Sequence, residues 1–431
     1  MAEREKFAEE LVSVEVQELP DTVTRDGGKL DGGVRGWSTV LGAWLVQFTM
    51  VGTVSAFGST QEFYVLHFLT KSTPSEINWI GSVQLFFQFI VGLAVGKVLD
   101  SGNFHWLLLS GGLLYTFSMF MLSLAKPENY YQVFLSQGVG MGIGTGMLYM
   151  PLSGVVANHF TQRRGLALGI ITTGSSIGGF AFSTMFSHVL VGKIGFASGI
   201  RIGAFIGLGC LVAAFLLMKQ YPKGFKRPSH GPASLTPSPP KSSLKRPAFI
   251  LVILYGFVIG LGLWFPTISI QLFASNHPNI SPSLGSWLLA IINLSSTVGR
   301  VVPNWLSDRF GAVEMNIVFT GLNGILAIVM IVCTDPPSIV VFCILYGFCS
   351  GAAVALFFPS VISLDPNARS GIRLGLACVP TGVATLVGPP IAAALVGPQM
   401  KWWRGCVFAG AVELLAALML IGVVLLKRRG Y

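Results

Sequence analysis

Long apolar runs separated by short polar connections fill almost the whole of this 431-residue sequence. Each run approaches the roughly 20 residues that a helix needs to cross a hydrocarbon core about 30 Å thick. The pattern predicts an all-α membrane protein with six spans on each side of a polar segment. The runs lie near residues 37–63, 77–98, 104–124, 131–157, 165–190, 198–218, 248–274, 285–306, 315–333, 337–358, 374–396 and 403–426.

The polar stretches between these runs set the predicted domain boundaries. Residues 1–36 form an N-terminal tail that is too acidic and too polar for a cleaved signal peptide. Residues 219–247 are rich in Pro, Ser and Lys, which predicts a flexible linker. We therefore expect one six-helix bundle over 37–218, a second over 248–426, and a short C-terminal segment over 427–431.

Charged residues are scarce, at 11% of the chain, and the mean hydropathy of +0.69 is far from that of a soluble domain. The net charge of +10 comes from bases scattered over the connections, which indicates membrane topology rather than nucleic-acid binding. With the N-terminus inside, 21 of the 28 Lys and Arg residues fall on the cytosolic side and six on the other. We expect a multi-pass protein, in the plasma membrane, with both termini and the linker in the cytosol.

Three landmarks recur in the two halves of the chain at nearly one offset. They are an acid after the second and eighth spans, a proline near the end of the fourth and tenth, and an arginine before the fifth and eleventh. This spacing predicts a parallel duplication of a six-span unit, and hence two pseudo-symmetric bundles. The pairs are Asp100 with Asp308, Pro151 with Pro359, and Arg164 with Arg373.

The fourth span carries glycines at helical spacing. Gly138, Gly142 and Gly146 recur at intervals of four, and Gly140 and Gly144 lie on the neighbouring face. In a bilayer, small residues let helix backbones approach closely, which is a main source of helix association there. The stripe therefore predicts tight packing. A second possibility is that such smooth contacts let one bundle rock against the other.

Charges in the short connections are candidates for a cytosolic gate. Asp308 and Arg309 end the eighth span, Asp100 ends the second, and the pair Arg163 and Arg164 precedes the fifth. A carboxylate there can cap a helix N-terminus, or pair with an arginine until the partners separate. Because both halves carry the acid at the same place, we favour a gate over ordinary loop polarity.

A polar stripe on the eighth span is the main candidate for a substrate site. Asn293, Ser296, Thr297 and Arg300 are spaced i, i+3, i+4 and i+7, which places them on one helical face. Such a face is costly against lipid and should face the bundle interior or a watery cavity. A guanidinium there offers a planar fork that matches a carboxylate. The alternative is that Arg300 lies near the membrane edge and makes a structural contact with a carbonyl or with Asp308.

Further candidates lie on other spans. Gln84 and Gln88, one turn apart, can hydrogen-bond a ligand, although bonding between helices is an equal alternative. Tyr149 and Phe358 are candidate walls of the same site. Glu62, at the outer end of the first span, is a weaker candidate for carrying a proton.

The remaining chemistry of the sequence is sparse. The second intramembrane acid, Glu413, is expected to be peripheral or structural. The six cysteines lack metal or redox spacing and are expected to be core residues. We expect no cofactor, no metal and no obligate protein partner, and we expect a protein that is not an enzyme, since no nucleotide loop or hydrolytic triad is visible.

Together these features resemble the major facilitator superfamily, and finer marks resemble its monocarboxylate porter family, especially fungal members. The similarity covers residues 31 to about 427. One mark is the segment Asp31 to Trp37, which is similar to the family's acidic-Gly-Gly-x-Gly-Trp pattern with one residue inserted. Arg300 stands where the family places an arginine that pairs with the substrate carboxylate. The most specific mark crosses spans four and five: Tyr149, Pro151, Phe160, Arg163, Arg164, Ala167, Gly169 and Gly174.

The resemblance implies a secondary active transporter that moves a small organic anion or carboxylate-bearing metabolite by alternating access. Animal lactate-type members have a lysine in span one and an aspartate four residues before the span-eight arginine, where this chain has Ser59 and Ser296. The proton-symport mechanism is therefore left open. The alternative function is efflux of a secondary metabolite from a biosynthetic cluster. A non-transporting membrane sensor is less favoured, because the sequence offers no long signalling extension.

Overall fold

A computed structural model describes residues 32–100, 103–157, 159–160, 164–189, 194–219, 247–364 and 370–428. Within these residues twelve long helices follow one another, as the apolar runs predicted. They are α1 (Gly33–Phe68), α2 (Pro74–Asp100), α3 (Phe104–Leu122), α4 (Tyr130–Val156), α5 (Arg164–Val189), α6 (Gly195–Leu217), α7 (Pro247–Ser275), α8 (Pro282–Phe310), α9 (Ala312–Val332), α10 (Pro336–Ile362), α11 (Ser370–Val396) and α12 (Trp402–Arg428).

All twelve helices are long enough to cross a membrane. In the described part of the chain, eleven of them are also apolar enough to be candidate membrane spans. The twelfth, α2, has 27 residues and is therefore about 40 Å long. The predicted all-α membrane fold is confirmed.

The helix boundaries repeat at the offset that the sequence landmarks predicted. α2 and α8 begin at Pro74 and Pro282, and α3 and α9 begin at Phe104 and Ala312, so each pair starts 208 residues apart. The helices that join the two bundles are also equivalent under this repeat, because α2 packs on α11 while its counterpart α8 packs on α5. The two halves therefore form pseudo-symmetric bundles.

Two helices are interrupted where the bundles meet. α1 contains a π-helical segment, Gln47–Val51, and leaves regular helical geometry at Ala56. α7 consists of Pro247–Gly262 and Trp264–Ser275, joined at Leu263. The second part of α7 packs on the Phe57–Phe63 part of α1. We call the membrane face near Phe68 and Ser275 the far face, and the face near Gly33 and Arg428 the termini face.

The glycine stripe of α4 packs as the sequence predicted. Gly138, Gly142 and Gly146 face α2, and a methyl group added at Gly146 would overlap the carbonyl of Phe87. Gly144 meets the backbone of α3 instead. Close packing of α4 is thus explained by small residues, whereas the sliding motion remains a prediction.

Two of the motifs that carry the family resemblance meet at the termini face. Trp37 lies edge-on to Phe160, with ring centroids 5.2 Å apart, and Phe160 is fully buried. Gly32, at a φ of 84°, lies directly under the same ring, so a side chain there would be strained and would also clash. Gly32 is therefore required by the packing of the α4–α5 connection.

Candidate functional site

Arg300 joins the two bundles in the interior of the protein. The side chain is 8% exposed and extends from α8 to α5 of the other bundle. Its Nη1 donates to the carbonyl oxygen of Thr172 at 3.0 Å and to the hydroxyl of Ser175 at 2.6 Å. Its Nε lies 3.4 Å from the hydroxyl of Ser296 on α8. The position is about 27 Å from the far end of α8, well inside the membrane.

The surroundings of Arg300 are neutral. Its hydrogen-bond partners among the described residues are hydroxyls and a carbonyl, and the titratable group in electrostatic contact with it is Tyr149. A buried cation normally has an anionic partner, because desolvation is expensive. The alternative interpretation of Arg300 included a contact with a carbonyl. Such a contact is present, to Thr172, but it joins the two bundles instead of lying at the membrane edge.

The other residues of the polar α8 stripe divide into two groups. Asn293 and Ser296 are buried at the bundle interface: the Asn293 amide donates to the Ser55 carbonyl of α1 at 3.4 Å, and the Ser296 hydroxyl accepts from Ser176 of α5 at 3.3 Å. Thr297 is only half-buried and its hydroxyl bonds the Asn293 carbonyl of its own helix. These residues share one face of α8, as the helical spacing predicted, and in the structure that face meets the other bundle, with Thr297 at its margin.

The two glutamines of α2 are buried and have unused hydrogen-bonding capacity. Neither the amide oxygen nor the amide nitrogen of Gln84 has a partner among the described residues. Gln88 bonds the hydroxyl of Tyr149, while its amide oxygen has no partner there. Gln88 of α2 thus makes a hydrogen bond to another helix, α4, whereas the described residues provide no such bond for Gln84. Buried amides left in this state are suited to a polar ligand.

Tyr149 and Phe358 lie in one aromatic group that spans both bundles. Tyr149 is edge-on to Phe89 at 5.8 Å, and Phe358 is edge-on to Phe357 at 5.5 Å. All four side chains belong to, or pack against, the same apolar cluster. Since Tyr149 also contacts Gln88 and interacts with Arg300, the structure brings together the candidates from α2, α4 and α8, and Phe358 of α10 packs against the same apolar cluster as Tyr149.

Glu62 does not join this group. It is partly buried, six residues from the far end of α1. Arg300 lies about 18 Å deeper along the membrane normal, from the helical rise of 1.5 Å per residue. A role in binding at Arg300 would therefore have to be indirect.

The predicted gate falls mostly outside the described part of the chain. Arg163 and the side chains of Asp100, Arg164 and Asp308 are not described. Arg309 is exposed, and its guanidinium lies over the ring of Trp305 at 5.5 Å from the centroid. The ion-pair gate thus stays a prediction, while the one described member makes a cation–π contact.

The far face is closed by contacts between the bundles. Gln271 of α7 donates to Ser187 of α5 at 2.9 Å, and Ser187 donates to Ser59 of α1 at 3.1 Å. Ser75 of α2 bonds the Pro390 carbonyl of α11 at 3.0 Å. Among the described residues, the hydrogen bonds between bundles lie at or beyond the level of Arg300 towards the far face.

The sequence analysis missed the α5 side of this site. Thr172, Ser175 and Ser176 supply the acceptors and the donor that meet Arg300 and Ser296. A signal was present, because Thr172 to Ser176 place four hydroxyl residues around Gly174 within one turn and a half of helix. Hydroxyls also bond their own helix, so the spacing alone does not show that they face a cation.

Two repeated six-helix bundles that meet around a buried polar centre define a membrane transporter. The family model of the Major Facilitator Superfamily matches residues 38–364 and 252–430. The chain belongs to the Major Facilitator Superfamily. A solved structure of a point mutant of the nucleoside transporter NupG agrees on the fold, with a TM-score of 0.64 over 90% of this chain and 99% of that chain at 15% identity.

Fungal transporters are similar over nearly the whole length. The fujikurins efflux protein of Gibberella fujikuroi is 32% identical over 97% of this chain and 89% of its own length. The MFS transporter asaE of Aspergillus flavus is 31% identical over 95% and 92% respectively. The aspyridones efflux protein apdF of Emericella nidulans is 31% identical over 93% and 80%. These relatives support the superfamily and do not single out the monocarboxylate porters.

Proposed function

We propose that this protein exports a small, acidic secondary metabolite by alternating access, with Arg300 as the binding group for the acid. The observation that carries the proposal is the buried guanidinium of Arg300, which has neutral partners only among the described residues. An anionic group of a substrate would supply the counter-charge that the described residues do not.

Export is favoured over uptake by the relatives. The names of two of them, from Gibberella fujikuroi and Emericella nidulans, identify efflux proteins. The contacts that close the far face are in keeping with this direction: if the termini face is cytosolic, as the distribution of Lys and Arg indicates, a carrier closed at the far face receives its substrate from the cytosol.

In the proposed cycle, substrate replaces α5 at Arg300. The contacts from Nη1 to Thr172 and Ser175 hold α8 of the second bundle against α5 of the first. A carboxylate that accepts two charge-assisted hydrogen bonds from the guanidinium competes with both contacts. Once they are lost, the closed arrangement of the far face is less favoured, and the bundles 37–218 and 248–426 can move as units.

The neighbouring candidates take supporting roles in this proposal. The amide of Gln84 binds a carbonyl or hydroxyl of the substrate, and Tyr149, Gln88 and Phe358 bound the site on the sides of α2, α4 and α10. Asn293, Ser296 and Thr297 position the α8 face. Asp100, Arg163, Arg164, Asp308 and Arg309 close the termini face during the cycle.

The proposal also includes coupling to protons and a kinship with the monocarboxylate porters. Glu62 is the proposed proton carrier, and its distance from Arg300 means that protonation acts through movement of α1. The resemblance in α4 and α5 supports a carboxylate substrate. We place the protein in the plasma membrane with both termini in the cytosol, where export would remove the metabolite from the cell.

Vesicle transport of matched acids and esters tests this function. A panel of aromatic and aliphatic carboxylic acids, each with its methyl ester, is presented to inside-out vesicles that contain the wild type, Arg300→Lys or Arg300→Gln. We expect saturable uptake of at least one acid and weaker uptake of its ester. Arg300→Gln should lose the difference between acid and ester, and Arg300→Lys should retain part of it. Equal transport of acids and esters by the wild type would contradict an anion site.

A further inference from the structure

A second buried polar centre lies inside the C-terminal bundle, away from the bundle interface. Glu413 is at the eleventh position after Trp402 in α12, close to the middle of that helix, and its exposed fraction is 0%. Asn323 of α9 is equally buried and its Nδ2 donates to Oε2 of Glu413 at 2.7 Å. The sequence analysis allowed this acid a peripheral place, which is wrong, because the side chain packs between α9 and α12.

The pair leaves two acceptor atoms unsatisfied if the acid is ionised. The second oxygen of Glu413, Oε1, and the amide oxygen of Asn323, Oδ1, are both buried without a hydrogen-bond partner among the described residues. Both atoms are acceptors in a carboxylate–amide pair, so neither can satisfy the other. A proton on the carboxyl group changes this, because an acid and an amide can form two hydrogen bonds, one in each direction.

In the described part of the chain, the surroundings of Glu413 offer no positive charge to hold a carboxylate. The titratable groups in electrostatic contact with Glu413 are Tyr346 and Cys349 of α10 and Tyr255 of α7. All three are neutral at physiological pH. The described part of α11 adds no titratable group that contacts the acid, and α9 contributes the neutral Asn323. An ionised acid at this depth would be a desolvated, unpaired charge.

The two tyrosines cannot act as donors without losing other contacts. The hydroxyl of Tyr346 donates to the carbonyl of Leu263 at 2.8 Å. The hydroxyl of Tyr255 accepts from the Asn316 amide at 2.9 Å and lies 3.5 Å from the hydroxyl of Thr320, which donates to Asn316 and so can accept from Tyr255. The described residues therefore supply one donor to Glu413, the amide of Asn323, and leave the rest of the hydrogen-bonding capacity of the acid to a proton.

We propose that Glu413 is a binding site for one resident proton, and that the neutral acid pairs in both directions with the Asn323 amide to join α9 to α12. The proton belongs to the folded C-terminal bundle and is not the transported species. This inference does not depend on the proposed export function, since it concerns the interior of one bundle.

Infrared difference spectroscopy of the purified protein tests the protonation state. The spectrum of the wild type minus that of Glu413→Gln at neutral pH should contain the carbonyl stretch of a protonated carboxylic acid. In Asn323→Leu this band should move to higher frequency, because the carbonyl loses the Nδ2 donor. A difference spectrum with the two carboxylate stretches in place of the acid band would overturn the proposal, as would an acid band that Asn323→Leu leaves unmoved.

Thermal unfolding and transport give independent tests. Glu413→Gln keeps the shape and neutrality of the acid, so it should unfold within about 2 °C of the wild type at acidic pH, since a net change well below 1 kcal/mol is expected. As the pH rises, the wild type should lose more stability than Glu413→Gln, because the folded wild type retains a proton at residue 413 that the unfolded chain releases. Should Glu413→Gln not fold, the spectrum of the wild type minus that of Asn323→Leu still decides, because a shifted acid band appears there as a pair of bands of opposite sign. A changed pH profile of transport in folded Glu413→Gln would contradict a resident proton.

Discussion

The contact between Arg300 and Ser175 gives a quantitative test of how the bundles are held together. In Ser175→Ala the guanidinium loses a hydrogen-bond acceptor at 2.6 Å. Both residues are buried, so bulk water does not replace the lost hydrogen bond. A hydrogen bond that involves a charged group contributes about 1.5–3 kcal/mol. If the contact exists only while the far face is closed, its loss raises the population of the far-open state by a factor of about 10 to 150.

A cysteine in the far seal, which is the set of buried contacts that close the far face, reports this population. Ser269, in the far half of α7, is 3% exposed, so Ser269→Cys should react with a membrane-impermeant thiol reagent from the far side only when the bundles separate. The chain without this substitution measures the background from the six native cysteines. We expect the labelling rate in Ser175→Ala to rise about tenfold or more.

Ser183→Ala is the matched control for this experiment. Ser183 also lies on α5, is equally buried and donates to the carbonyl three residues earlier, as Ser175 does. It has no hydrogen bond to Arg300 in the structure. Equal labelling rates in Ser175→Ala and Ser183→Ala would refute the assignment of a bundle-to-bundle contact to Arg300.

Three further predictions concern other parts of the molecule. Gly58→Ala would place a methyl group 2.7 Å from the carbonyl oxygen of Ile268, so it should open the far seal and accelerate labelling of the same reporter cysteine. Gln84→Leu should leave thermal stability unchanged or raised, since the amide has no protein partner in the described residues, yet it should weaken transport of the substrate. Glu128 accepts hydrogen bonds from Thr70 and Lys71, mainly the hydroxyl of Thr70, which lowers its pKa. The stabilisation is therefore present above the ordinary pKa of a glutamate and is lost as the pH falls further, so an unfolding series at decreasing pH should show a smaller loss in Glu128→Gln than in the wild type.

The helical framework follows from the sequence because membrane burial imposes a simple rule. Apolar runs of sufficient length must form helices, and the offset shared by Asp100 with Asp308 and Pro151 with Pro359 already identified the duplication. The same offset appears in the starts of α2 and α8. Glycine spacing in α4 likewise predicted the face that meets α2, since close backbone contact is possible only there.

The partners across the bundle interface could not be predicted in the same way. Helical spacing placed Arg300 and Asn293 on one face, but which helix they meet depends on how two bundles dock. The α5 hydroxyls that bond Arg300 look like ordinary small residues in sequence, and Glu413 looks like a membrane-edge acid until its burial is known. Tertiary packing, rather than local pattern, determines both.

The most direct test of the central claim measures whether substrate replaces α5 at Arg300. The labelling rate of Ser269→Cys from the far side is compared with and without a transported carboxylic acid, with its methyl ester, and in an Arg300→Gln background. We expect that the acid accelerates labelling, that the ester does so less, and that Arg300→Gln abolishes the difference between them. If acid and ester have the same effect while Arg300 is intact, the guanidinium is not the group that couples substrate binding to opening of the far face.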